Sequence, residues 1–376
     1  MKKNMKLLIL SVSAGAGHVR AADALKKTAE KLYPGINAVH LDLMDYVPSL
    51  FRKIYADSYV KVINHNPELW GFLYNRTDKE EKKNSLYGKF RRKVQELNTV
   101  KFSRKLDELD CDRIICTHFL PAELISKMIS RGTVCADCHV AVTDFDIHSL
   151  WIHSHMKSYF AASAEVAWRM REKGVPGDDI YVTGIPIAPV FGSKLSREAC
   201  ARELGISPEK TTVLLMSGGL GVGGVGQIAE RLVSMEGDFQ ILALAGKNKE
   251  LLDALRKMSE MHKGKIFPTG FTTTIERHMA ASDIAVTKPG GLTSSECLAM
   301  GMPMIVISPI PGQEERNADY LLENGAALKA HDAAVLEFKL RGLFETPSKM
   351  CEMRNAALKL GCPHAAAEIL KIVLES

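Results

Sequence analysis

Apolar and polar positions along the chain follow two periods. Short, nearly continuous apolar runs recur: "KLLILSV", "NAVHLDL", "RIICTH", "HVAVTDF", "SYFAAS" and "IYVTGIP" in the first half, then "TTVLLMSGG", "FQILALAG", "KIFPTGF", "IAVTKPG" and "PMIVISP". Between most of them apolar residues return every third or fourth position, as in "AADALKKTAEKLY" and "QIAERLVSM". The first pattern is that of strands buried on both faces, and the second that of amphipathic helices. Their alternation predicts an α/β architecture of parallel sheets covered by helices.

The pattern restarts part-way. "VTGIPIAPVFGSKLSREACARELGISPEK" carries several Gly and Pro and leads into a second strand, glycine loop and helix, "VLLMSGGLGVGGVGQIAERL". A boundary is expected near Pro186–Lys194. That gives an N-terminal domain over 1–190 and a C-terminal domain over 191–360, with a last helix in 361–376 packing back on the first. Two Rossmann-like domains then face each other across a cleft. Ligands of such sheets bind at the carboxyl ends of the strands.

Length agrees, since 376 residues suffice for two domains at roughly 100–200 residues each. The net charge of +5 is too small to argue for nucleic acid, and none is expected as a partner. No apolar run approaches the roughly 18–20 residues of a membrane span. "MKKNMKLLILSVSAGAG" imitates a signal peptide, but its short run leads straight into a glycine loop and helix, so it reads as a buried first strand. The eight cysteines form no disulfide framework, and reduced cytoplasmic thiols are the default. "CADCH" (Cys135 to His139) matches the haem c attachment pattern, yet it runs directly into a buried strand, and haem is not expected.

Residues 45–105 break the alternation. They hold no convincing strand and are rich in aromatics (Tyr46, Phe51, Tyr55, Trp70) and bases (Lys82, Lys83, Arg91, Arg92). Three readings fit: a helical excursion with a solvated basic face, a surface for anionic lipid, or nucleic-acid contact without a recognised module.

Three stretches carry chemistry. In "SVSAGAGHVRAADAL", Gly15-x-Gly17 lacks the third glycine of a dinucleotide fingerprint, because Arg20 stands there; Asp42 follows at the end of the second strand. His18 lies where the helix begins, and the positive end of the helix dipole favours its neutral form. A neutral imidazole can act as a general base, or it can merely hydrogen-bond the loop. The second loop, "SGGLGVGGVGQ", fits either backbone phosphate binding or a flexible connection. "KPGGLTSSE" puts Gly290, Gly291 and Thr293 at a helix N-terminus, where bare amides suit a diphosphate. Glu296, one turn further, can accept from a ribose diol, and "PGQEERN" offers Gln313, Glu314 and Asn317 to sugar hydroxyls. Asp144-x-Asp146 has the spacing of a metal-binding pair but is read as coincidence, because helix amides and Lys288 can neutralise a diphosphate. No metal or other cofactor is expected.

"SAGAGHVRAADAL", "VTDFDIHSLWIH", "VTGIPIAPVF", "AGKNKEL" and "KPGGLTSSECLAMGMPMIVISPIPGQEERNADYLLENGAA" occur in that order. Together they resemble the diacylglycerol glycosyltransferases of glycosyltransferase family 28, which include monogalactosyldiacylglycerol synthase and processive diacylglycerol β-glucosyltransferase. The resemblance implies a GT-B fold and a UDP-sugar-dependent hexosyltransferase. A glucose or galactose would pass with inversion to the sn-3 hydroxyl of 1,2-diacylglycerol, on the inner face of the cell membrane. By motif position it implies Gly219 and Gly291 at the diphosphate, Phe271 at uracil through its main chain, and Lys247 and Asn248 along the nucleotide. Glu296 would serve the ribose, and Gln313 and Glu314 the hexose. It makes His18 the base, puts Gly17, Asp144, His148 and Trp151 on the acceptor side, and makes 45–105 a membrane-binding insertion. Ala14 and Ala16 depart from the bulkier or amide residues common in the family's first loop, which bears on acceptor shape. Two other readings share the fold: an epimerase of UDP-N-acetylhexosamine, and a non-catalytic UDP-sugar sensor.

Overall fold

The computed structural model describes residues 5–13, 15–48, 52, 78, 100–216 and 224–375. Most of the 45–105 segment, and the loop holding Gly219, lie outside them. The chain divides into two compact units. The first comprises Met1–Pro189, Ile310–Arg316 and His364–Ser376, and the second Val190–Pro309 and Asn317–Pro363.

The first unit holds β1 (Lys6–Ser11), β2 (Asn37–Asp42), β3 (Arg113–Cys116), β4 (Asp137–Ala141), β5 (Ser158–Ala161) and β6 (Ile180–Val182). They form one parallel sheet in the order β2-β1-β3-β4-β5-β6. The second unit holds β7 (Thr211–Met216), β8 (Phe239–Leu244), β9 (Ile266–Thr269), β10 (Ile284–Thr287), β11 (Met304–Ile307) and β12 (Ala327–Ala330). Their parallel sheet has the order β12-β11-β10-β7-β8-β9. Read from β9 and numbered within the unit, this is the Rossmann order 3-2-1-4-5-6. In each sheet the order reverses at one place, between β1 and β3 and between β7 and β10. A switch point of this kind opens a crevice at the strands' carboxyl ends.

Among the described residues the α-helices are α1 (Ala16–Leu32), α2 (Val100–Leu109), α3 (Phe119–Ser130), α4 (Ala164–Glu172), α5 (Arg197–Glu203), α6 (Val225–Val233) and α7 (Lys249–Met261). After them come α8 (Ile275–Ala280), α9 (Gly291–Ala299), α10 (Gln313–Glu323), α11 (Ala333–Glu345), α12 (Pro347–Leu360) and α13 (Ala365–Glu375). The core of the first sheet joins Leu7, Ile9, Ala22 and Leu25 to Ile369, Leu370 and Val373 of α13. The last helix therefore completes the core under β1 and α1, and the Arg113 Nε also donates to the Val373 carbonyl at 3.3 Å. In the second unit Val213, Ile241, Val286 and Ile305 from four strands meet Leu232, Leu255 and Leu340 from α6, α7 and α11.

Two departures from the sequence reading have physical causes. β12 went unread because "ALKA" is four residues long with a half-buried middle. Residues Ile310–Arg316, expected within a 191–360 domain, group with the first unit. Arg316 Nη1 there bonds the Asp146 carboxylate at 2.6 Å.

α9 opens at the Gly290–Gly291 pair, and its far end is held tightly. A Cβ at Gly361, which closes α12, would stand 2.5 Å from the Leu298 carbonyl oxygen and 2.9 Å from the Ala299 Cα. Both atoms belong to helical backbone and cannot step aside. Gly361→Ala is therefore expected to destabilise the protein by about 3 kcal/mol through overpacking. Urea unfolding should show this as a lower midpoint at unchanged m-value.

Candidate active site

His18 sits in the first turn of α1, just past the carboxyl end of β1. Thr117 and His118 follow the end of β3, on the other side of the first switch point. The His18 Nδ1 lies 3.0 Å from the Thr117 carbonyl oxygen and 2.9 Å from the Thr143 hydroxyl. A carbonyl can only accept, so Nδ1 carries the hydrogen and Nε2 keeps its lone pair. Thr117 also fixes the backbone here, its hydroxyl donating to the His18 carbonyl at 2.9 Å. Burial lowers the His18 pKa below the ordinary histidine value; the Asp144 charge and the Thr117 carbonyl pull upward without reversing the shift. Burial thus favours the neutral imidazole.

Around this imidazole lies an aromatic wall. The His118 ring meets it edge-on with centroids 4.5 Å apart, and Trp151 lies at 6.3 Å. His118 caps α3 by accepting the Leu120 N–H at 3.0 Å, so its Nε2 carries the hydrogen. Burial, and then its neighbour His18, push its pKa well below the usual value. His148 likewise accepts the Leu150 N–H at 3.0 Å and caps the short turn Ser149–Trp151. The structure thus brings His18, Asp144 and Trp151 of the predicted set together and adds Thr117, Thr143 and His118. The "CTH" at the end of β3 was the available signal for the last.

Several polar residues nearby hold backbone. Asp42 Oδ1 accepts the Ser13 N–H at 3.2 Å and the Met44 N–H at 2.9 Å, pinning the glycine loop as no ribose hook would. The Ser11 hydroxyl meets His40 Nε2 at 2.7 Å, and His40 Nδ1 meets Asp23 at 2.8 Å, tying β1, β2 and α1 together. Asp146 is buried between Arg169 and Arg316. Two guanidinium groups on one carboxylate make it a poor cation ligand. Among the described residues no group of three or more His, Cys, Asp or Glu is arranged to hold a metal. In "CADCH", Cys138 is buried with its sulfur 3.9 Å from that of Cys116, while Cys135 is exposed, so the two thiols do not share a surface.

The second switch point carries the other motif. Gly290 caps α9 without a side-chain hydrogen bond. Gly224, at φ 71°, caps α6 in the same way after the second glycine loop. Asn248, Ser163, Ser196 and Asp332 cap other helices with their side chains. The first-turn amides of α6 and α9 thus lack such a cap, as anion-binding helix starts require. Gly291 and Glu296 are buried, while Thr293 and Lys288 are half-buried. Beyond β8 and β9, the Lys247 ammonium lies 5.2 Å from the Phe271 ring, which is 62% exposed. The Asn248 Oδ1 is committed to the Leu251 N–H at 3.0 Å. The Glu314 carboxylate accepts the Ile310 N–H at 2.8 Å and so shapes the loop before α10. Asn317 is fully buried, and Gln313 is half-buried at the start of that helix.

Residues 18–187 match the family model of monogalactosyldiacylglycerol (MGDG) synthase, and residues 224–369 match the glycosyltransferase family 28 C-terminal domain. The processive diacylglycerol beta-glucosyltransferase of Bacillus cytotoxicus is 30% identical over 379 residues, covering 100% of this chain and 95% of that protein. The chain belongs to the diacylglycerol glycosyltransferases of family 28. The Bacillus thuringiensis enzyme of the same name is 29% identical over the same span. Among solved structures, MurG of Acinetobacter baumannii superposes with a TM-score of 0.63 at 14% identity, covering 99% of this chain and 100% of that one. The UDP-GlcNAc 2-epimerase of Neisseria meningitidis gives 0.62 at 12%, with the same coverage. At those identities the likeness is one of fold, and that fold is GT-B. No helix among the described residues is long and apolar enough to cross a membrane.

Proposed function

We propose that this glycosyltransferase moves a hexose, glucose or galactose, from a UDP-sugar to the sn-3 hydroxyl of 1,2-diacylglycerol, with inversion, at a membrane surface. The observation that carries this reading is the 30% identity to a diacylglycerol glucosyltransferase along the whole chain. The geometry supports it independently, because His18 offers a neutral Nε2 beside an aromatic wall suited to a lipid acceptor.

In this reading His18 Nε2 takes the proton of the acceptor hydroxyl as its oxygen attacks the anomeric carbon. The bond from that carbon to the β-phosphate oxygen breaks, and UDP leaves with the electron pair. Asp144 stabilises the imidazolium that forms. Amides at the start of α9, with Lys288, receive the charge developing on the diphosphate, so the step requires no metal. Glu296 holds the ribose, Phe271 and Lys247 lie along the nucleotide, and Gln313 and Glu314 orient the hexose. Gly219 would approach the diphosphate, and Gly17, His148 and Trp151 shape the acceptor side. The aromatic and basic 45–105 segment would hold the protein on anionic lipid from the cytoplasmic face.

Release of UDP from UDP-glucose and UDP-galactose, with and without diacylglycerol in anionic vesicles, tests the proposal. Release that depends on diacylglycerol is expected; release at the same rate without it would contradict the reading.

A further inference from the structure

One residue of the 45–105 segment is tied firmly into the acceptor side. The Asp78 Oδ1 accepts the Ser149 N–H at 2.8 Å, the Ser149 hydroxyl at 3.0 Å and the Lys173 ammonium at 2.8 Å. The Asp78 carbonyl is also within 3.1 Å of that hydroxyl, and Lys173 donates to the hydroxyl oxygen at 3.0 Å. The site is enclosed, with the Asp78 side chain 10% and Lys173 20% exposed. Burial alone would raise the Asp78 pKa, but the Lys173 and Ser149 bonds, with the nearby His148, bring it down to about 2. It is therefore a carboxylate at any working pH.

Ser149 opens the turn Ser149–Trp151, and that turn places the Trp151 ring against His18, His118 and Phe119. A three-residue turn has little rigidity of its own. Its own bonds are few: the His148 cap, the Trp151 N–H to the His148 carbonyl at 2.9 Å and the Ile152 N–H to the Ser149 carbonyl at 3.2 Å. The next residues are anchored elsewhere, through Ser126 to the Ser154 carbonyl and Tyr159 to His153. Asp78 supplies the anchor at the turn's start, and Lys173, at the end of α4, balances its charge.

We infer that Asp78, with Ser149 and Lys173, is a positioning residue that fixes the 148–151 turn, and through Trp151 the acceptor side of His18. This rests on the proposed function for the identity of the acceptor, but the anchor itself does not. The set predicts an asymmetric defect, because Asp78, Ser149 and Lys173 belong to the first unit and the Gly290–Glu296 motif to the second.

In Asp78→Asn the acceptor KM for diacylglycerol should rise tenfold or more, with the UDP-hexose KM within twofold of wild type. Ser149→Ala keeps the backbone bond and should shift the acceptor KM in the same direction by about threefold. Ser149→Ala added to Asp78→Asn should cost no more than Asp78→Asn alone, since the residues act as a unit. Hydrogen exchange supplies a readout without turnover. The amides of residues 149–151 should exchange at least tenfold faster in Asp78→Asn, with those of Ile114–Cys116 unchanged. Unchanged exchange at 149–151, or donor and acceptor KM values moving together, would overturn the anchor. Wild-type protein that transfers no hexose to diacylglycerol, with the exchange result intact, would overturn the proposed acceptor and leave the anchor standing.

Discussion

Replacing His18 with alanine is expected to lower kcat about a thousandfold, within the range for loss of a general base, while UDP-hexose affinity changes less than twofold. Thr117 holds Nδ1–H, so Nε2 is the basic atom, and alanine removes it without disturbing the second unit. Activity should also carry the imprint of the shifted pKa. A base works in its neutral form, and burial moves protonation of His18 below the ordinary value of 6.5. The acid limb of kcat/KM should therefore fall below pH 6.5. Thr117→Ala leaves the carbonyl bond to Nδ1 in place and removes only the hydroxyl's bond to the His18 carbonyl. Thr143→Ala should give a smaller loss, about tenfold, by loosening the imidazole. Steady-state kinetics at saturating donor reads all of these. Near-normal turnover in His18→Ala would remove the base from the account.

The second large effect concerns stability in acid. His139 on β4 is fully buried, and neither ring nitrogen has a hydrogen-bond partner. Burial is the main reason its pKa falls to about 4; the Asp137 charge opposes this, and Lys157 and Arg113 add to it. The unfolded chain binds a proton on this residue below about pH 6.5, and the folded chain only below about 4. Stability is therefore complete above 6.5 and declines as pH falls from there to 4. By linkage the loss between pH 7.5 and 4.5 is about 2.5 kcal/mol. His139→Leu should abolish that part of the decline and cost little at pH 7.5, because it removes an unpaired buried polar group. His118 and His278, also lowered chiefly by burial, keep a residual decline in the variant. Urea unfolding at the two pH values measures the difference. An equal decline in variant and wild type would contradict the assignment to His139.

Much of this was legible in the sequence because it was written locally. Each of the eleven apolar runs overlaps one strand of the structure, since mostly buried parallel strands need no partner pattern to be recognised. The Gly290–Gly291 turn and the His18 loop announce themselves by residue types next to each other. What escaped depends on residues far apart in sequence. Thr117 meets His18 only because β3 lies beside β1. Asp78 meets Ser149 across 71 positions, and Arg316 meets Asp146 across 170. The roles of Asp42 and Asn248 as backbone anchors were hidden for another reason. A carboxylate or amide suited to a ligand is equally suited to an exposed N–H, and only the fold tells which one it meets.

Transfer of a hexose to diacylglycerol is tested most directly by mass spectrometry of the lipid fraction, after incubating the purified protein with anionic diacylglycerol vesicles and either UDP-glucose or UDP-galactose. A hexosyl-diacylglycerol is expected from one of the two donors, and none in His18→Ala. Intact diacylglycerol with both donors, from wild-type protein that binds UDP-sugar, would contradict it.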